Sequence, residues 1–200
     1  SEKEIELKEK YGHLADNLHT DLHECLGHGS GQLLPNVSQD ALKAYGATIE
    51  EARADLFGLY YTADKKIVEL GLLPHEDAYK AEYYQFMMNG LMTQLTRIKL
   101  GDDIEESHMR NRQLIAKWVY EKGKENNVVE IVERENKHFV KINNYSKLRL
   151  LFGELLKEIQ RIKSEGDFEA AKNLVEKYGV KIDQELHREI LDRYKRLNLA

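Results

Sequence analysis

Apolar side chains recur at three- and four-residue intervals through most of the sequence, broken by short clusters of glycine, proline and small polar residues. With only two prolines, Pro35 and Pro74, this periodicity predicts a mostly α chain folded as a helical bundle. Helices are expected at Glu4 to His28, Gln39 to Leu70, His75 to Leu100, Ile104 to Lys122, Tyr145 to Glu165, Phe168 to Tyr178 and Asp183 to Leu197. Between Asn127 and Asn143 the period changes to two. VVEIVER and KHFVKIN alternate apolar with polar positions around Glu135 and Asn136, which predicts one β-hairpin at about 127–143. The run YYQFMMNGLMTQL, residues 83–95, is apolar around most of a helix and is expected in the middle of the bundle, with Met87, Met88 and Met92 as core. No repeat or long linker divides the chain, so residues 1–200 are read as one domain.

Composition narrows the partners. Thirty Lys and Arg against 35 Asp and Glu give a net charge of -5, which offers no general attraction to a polyphosphate, so nucleic acid is not expected. No run of about 18 apolar residues is present, so no membrane span is expected. One cysteine, Cys25, makes no intrachain disulfide, and cytoplasm is the expected compartment. The opening SEKEIELKEK is too charged for a signal-peptide core, and its Glu4, Glu6, Lys8 and Lys10 read as a solvated face. Arg193 and Arg196 in DRYKR read as a solvated basic face. His13, His19, His75, His138 and His187 have no partner at a recognisable spacing.

The chemistry concentrates in His23-Glu24-Cys25-Leu26-Gly27-His28. Two neutral imidazoles with a carboxylate beside them are what a catalytic zinc site needs: nitrogen ligands, and a base for the attacking water. The spacing is i, i+5. On a regular α-helix such a pair lies about 140° apart, against about 40° for the i, i+4 pair of ordinary zinc-peptidase helices. Convergence therefore requires a π-type widening between His23 and His28, which Gly27 would ease. Further along, EEARAD sets Glu51 and Asp55 at i, i+4 on one helical face. Glu51 would complete a His, His, Glu ligand set with a fourth position open, and Asp55 would accept a ring N–H from a ligand histidine. Cys25, inside the motif, is expected as an inward-facing structural thiol.

HECLGH and EEARAD together resemble the zinc motifs HExxGH and EExR(K)A(E/D) of the dipeptidyl peptidase III family, the second with the shorter Asp option. His108-Met109-Arg110-Asn111-Arg112 is similar to the family's HMxxR segment, and the likeness runs from about Leu18 to Asp183. The resemblance implies one zinc per chain, held by His23, His28 and Glu51. It implies Glu24 as general base, Glu50 and Asp55 behind the ligands, His108 facing the charge on the scissile carbonyl, and Arg112 on the substrate. It implies an oligopeptide substrate from which dipeptides leave at the N-terminus. Family members are two-lobed and several times longer. The largely β lobe that forms the other wall of their cleft is not in these residues, so the chain is expected to be the helical catalytic lobe, with weak activity or none by itself.

One rival has a different chemistry: a non-catalytic zinc-containing interaction or scaffold module that keeps the ligands without turnover. Glu24 separates the two, because a closed structural site needs a fourth protein ligand and no carboxylate beside its first one. A zinc endopeptidase of another lineage is opposed by the i, i+5 spacing.

Overall fold

The structure, a computed structural model, describes residues 2–197. Eight α-helices run in the order α1 (Glu2–Leu22), α2 (Gly46–Thr62), α3 (Lys65–Glu69), α4 (Tyr79–Leu91), α5 (Ser107–Lys122), α6 (Tyr145–Glu165), α7 (Phe168–Val175) and α8 (Gln184–Arg196). Between α5 and α6, β1 (Val129–Arg134) and β2 (Lys137–Ile142) form an antiparallel hairpin with Val129 opposite Ile142 and Arg134 opposite Lys137. Its two-residue turn is Glu135 and Asn136, both with positive φ (51° and 57°), the conformation that matches the right-handed twist of a tight hairpin. The mostly α reading with one hairpin is therefore observed.

α2 occupies the centre. It packs on α1, α5 and α6, and its Ile49, Ala52, Leu56 and Leu59 are wholly buried. They join Tyr83 and Met87 of α4, Leu114 and Ile115 of α5, and Phe152, Leu155 and Ile159 of α6 in one core. The 83–95 run is core as expected, although α4 packs on α1 and α5 and does not itself form the axis of the bundle.

Three expected helices are shorter than their apolar patterns. The span Gln39 to Leu70 opens in turns and a 3-10 turn at Lys43–Tyr45, and breaks after Thr62, because Asp64 caps a fresh helix: its carboxylate accepts from Lys66 N at 2.9 Å while Arg149 holds its other oxygen at 2.9 Å. The span His75 to Leu100 is turn before Tyr79. It leaves the α-helix at Met92, with φ near -140°, before a 3-10 stretch at Thr93–Arg97 whose Gln94 donates to Met109 O of α5. The span Phe168 to Tyr178 is α only to Val175 and continues as a π turn, Glu176–Val180.

Two surface expectations are also corrected. Glu4 is 7% exposed and accepts from Tyr145 Oη at 3.1 Å. Arg193 lies over the Phe139 ring and donates to His138 O at 3.2 Å, which ties α8 to the hairpin. His138 gains a partner as well, through its main-chain N and ring Nδ1 to Glu189 of α8. Among the described residues no helix is long and apolar enough to cross a membrane.

Candidate metal centre

α1 does not stop at Leu22. It continues as a π-helical turn, His23–His28, in which Gly29 N reaches Glu24 O at 3.2 Å, an i to i-5 bond. The widening that the His spacing demands is therefore present, and both imidazoles point the same way: their Nε2 atoms lie 3.0 Å apart. Gly27 is where the turn touches α2. A Cβ built there would stand 2.6 Å from Ala54 Cα and 2.7 Å from Ala54 Cβ, so only glycine lets the two backbones meet. Gly27→Ala is expected to push the turn off α2 and to cost about 1–3 kcal/mol of stability. Denaturant unfolding of the two proteins measures this, and equal midpoints with equal slopes would contradict the close-contact argument.

The turn is fastened by Arg53, a wholly buried guanidinium. It donates to Gly27 O (2.5 Å) and Ser30 O (2.8 Å) on the exit from the turn, to both carboxylate oxygens of Glu50 (3.0 and 3.1 Å), to Ser30 Oγ and to Gln160 of α6. Its charge is thus matched and its donors are used, which is what permits burial. Glu50 is also held by Lys163 of α6. Sequence reasoning missed Arg53 and Lys163; the i, i+3 relation of Arg53 to Glu50 was the one available signal.

Glu51 brings its Oε2 to 3.4 Å from His23 Nε2 and 3.9 Å from His28 Nε2. These three residues form the one cluster among the described residues in which His, Cys, Asp or Glu ligand atoms converge, all within 4.8 Å of one another. Behind them, His23 Nδ1 meets Asp55 Oδ1 at 2.7 Å and His28 Nδ1 meets Glu50 Oε1 at 2.9 Å. Each carboxylate takes the Nδ1 proton, which leaves each Nε2 lone pair directed at the other ring and at Glu51. Glu51 Oε2 is itself buried and takes no hydrogen bond from a described residue. Three unshared electron pairs thus converge on one point. A tetrahedral ion with bonds of about 2.0–2.1 Å sets its donors roughly 3.3 Å apart, inside the range observed here, and a nitrogen and carboxylate donor set suits zinc.

Glu24 is exposed on the turn and lines, with Asp55, His108 and Arg112, the cleft beside the cluster. The Glu106 carboxylate caps α5 through His108 N and Met109 N, both at 2.9 Å. That places His108 on the first helical turn, its Nδ1 3.2 Å from Glu51 Oε2. Arg112 follows one turn later, partly buried. Cys25 is exposed, contrary to the inward-facing expectation: the π turn gives its inner face to Gly27 and carries residue 25 outward.

Electrostatics follow from these contacts. Burial works against the Glu50 carboxylate, but hydrogen bonds from Arg53, Lys163 and His28 outweigh it and lower its pKa from 4.5 to about 2. Asp55 is lowered in the same way, against burial, by His23 and the nearby charge of His19. Burial pulls the His19 imidazolium down, yet the bond and charge of Glu82, with Asp55, raise it from 6.5 to about 9. The signs give a stability profile for the metal-free protein. Glu50 contributes stability above about pH 4.5 that is lost as pH falls towards 2. His19 contributes stability below about pH 6.5 that is lost as pH rises through about 9. Thermal midpoints are therefore expected to fall on both sides of neutrality, and Glu50→Gln to flatten the acid limb. A midpoint independent of pH from 7 down to 3 would contradict the assignment.

The model of peptidase family M49 matches residues 38–195, a stretch that holds EEARAD and His108 to Arg112 and begins after the HECLGH turn. Among solved structures, the chain is similar to dipeptidyl peptidase III from Caldithrix abyssi, with TM-score 0.66 and 24% identity over 90% of this chain and 32% of that one. It is also similar to dipeptidyl-peptidase III from Corallococcus sp. strain EGB, with TM-score 0.65 and 20% identity over 90% of this chain and 31% of that one. At these identities the likeness concerns the fold, and the chain spans about a third of the length of either relative. The match from residue 38 to residue 195, together with that shared fold, establishes that the chain belongs to peptidase family M49.

Proposed function

We infer that these residues form the metal-bearing lobe of a zinc exopeptidase that releases dipeptides from the N-terminus of oligopeptides. The observation that carries the reading is the convergence of His23 Nε2, His28 Nε2 and the unbonded Glu51 Oε2, each imidazole backed by a carboxylate. His23, His28 and Glu51 would hold one zinc. When bound, the ion supplies Lewis-acid polarisation and lowers the pKa of water to about 7. Asp55 and Glu50 fix the two rings by accepting their Nδ1 protons. Glu24, exposed on the cleft, takes the proton of the attacking water and later delivers it to the leaving amine. His108 answers the negative charge that develops on the scissile carbonyl, and the Arg112 guanidinium orients the peptide. The cleft's opposite wall, and with it the grip on the substrate ammonium, would come from the second lobe of a two-lobed relative. A cytoplasmic location rests on the single cysteine.

The test is hydrolysis of dipeptidyl arylamides by this chain and by a chain that also carries the second lobe, each with its zinc content measured. The expected result is one zinc per chain in both and substantial turnover only in the second, because orientation of a substrate requires both walls. Zinc-loaded two-lobed protein without any hydrolysis would favour the scaffold module instead.

A further inference from the structure

One helical turn before His23 stands a second imidazole to which the proposed chemistry gives no task. His19 lies on the face of α1 that leads into His23 at the start of the π turn, since residues four apart lie one above the other. It is 7% exposed, and both ring nitrogens are engaged by different helices: Nδ1 with Glu82 Oε1 of α4 at 2.7 Å, Nε2 with the main-chain oxygen of Asp55 in α2 at 3.1 Å. The same Nε2 lies 3.6 Å from Asp55 Oδ1, the oxygen that accepts the His23 Nδ1 proton. The ring lies against Gly58, where a Cβ would come within 2.0 Å of Cδ2, and edge-on to Phe86. With the Asp55 carbonyl accepting at Nε2 and an ionised Glu82 accepting at Nδ1, the ring carries two N–H groups and a positive charge in the interior.

The geometry points to Glu82 and His19 as positioning residues for His23. Their work is to clamp Asp55 at two places, its carbonyl directly and its carboxylate by charge, and so to fix the direction of the His23 Nε2 lone pair. The chain Glu82, His19, Asp55, His23 joins three helices, α4, α1 and α2, behind one ligand. Stability alone does not account for it. A buried charged pair is seldom more stabilising than apolar side chains of the same volume, and Glu82 Oε2 is buried without a hydrogen-bond partner among the described residues. Orientation does account for it, because a ligand imidazole is only as well aimed as the carboxylate behind it.

The inference rests on the reading that His23, His28 and Glu51 bind zinc, and the experiment separates the two. Zinc affinity is measured by competition with a chromophoric chelator, and the visible absorption of the cobalt-substituted protein reports ligand geometry. Both are recorded for the full chain, for Glu82→Gln, for His19→Gln, and for Ile159→Val, a core change on α6 outside this chain of contacts. The two polar variants are expected to bind zinc about tenfold more weakly with altered cobalt bands. Ile159→Val is expected to lower the thermal midpoint and leave affinity and spectrum unchanged. Glu82→Gln, nearly isosteric, decides the matter if His19→Gln does not fold. Folded variants with the parent's affinity and cobalt spectrum would overturn the inference while zinc binding stands. A parent chain that takes up no zinc would overturn both.

Discussion

Replacing His23 by Ala is expected to abolish zinc binding by this chain. His23 approaches both other ligands closely: its Nε2 lies 3.0 Å from His28 Nε2 and 3.4 Å from Glu51 Oε2, and its Nδ1 is held by Asp55. The variant would keep two donors, too few for a site whose remaining position is open to solvent, and would leave the buried Asp55 carboxylate without its closest donor. Loss of an outer partner alone costs about 10–100-fold in metal affinity, so loss of the ligand is expected to cost more than a hundredfold. Elemental analysis after equilibration with a buffered zinc concentration reads the result directly. One zinc per chain in the parent and near none in the variant supports the ligand set; normal zinc in a folded His23→Ala protein would remove it.

The second large effect is kinetic. Glu24→Gln, made in a chain that also carries the second lobe, is expected to retain its zinc and to lose a hundredfold or more in kcat, since a positioned general base contributes about 10²–10⁴-fold. The site makes this separation clean. Glu24 projects from the same π turn as both histidines, yet among the described residues its carboxylate supports neither ring, those places being taken by Asp55 and Glu50. Removing its charge should therefore leave the ligand geometry in place. Dipeptidyl-arylamide turnover measured beside zinc content gives the answer. A zinc-loaded Glu24→Gln protein as fast as its parent would withdraw the catalytic role and favour a scaffold module.

Much of this was legible in the residues, for identifiable reasons. The i, i+5 spacing of His23 and His28 forbids convergence on a straight helix, and the π turn follows from that alone. The hairpin was legible because VVEIVER and KHFVKIN change period sharply around two residues that tolerate a tight turn. The helix expected from Gln39 to Leu70 is overextended because the apolar period runs on through Asp64, whose carboxylate caps a new helix through Lys66 N and is held from α6 by Arg149. His19 and Arg53 were passed over for a related reason. Their partners, Glu82 for the first and the carbonyls of Gly27 and Ser30 for the second, lie 63, 26 and 23 positions away and are brought to them only by the packing of α4 on α1 and of the π turn on α2. Cys25, expected inward, is exposed because the expected π turn gives its inner face to Gly27, and the spacing of the histidines does not say which of the residues between them faces α2.

The extra residue in HECLGH has a consequence for moving this site elsewhere. Adding a residue to a helix rotates everything beyond it by about 100°, so the six-residue motif sets the heading of the chain as it leaves as well as the meeting of two imidazoles. Here that heading delivers the carbonyls of Gly27 and Ser30 to one buried guanidinium. Deleting a residue between the histidines would restore the common i, i+4 pair but swing the exit away from Arg53 and take the Gly27 and Ser30 carbonyls from a buried guanidinium that would keep only part of its acceptors. A transplant into another scaffold must therefore carry Arg53 and Glu50 along with the six residues, and must offer a neighbouring helix bare enough at one point to take the place of Ala54 beneath Gly27.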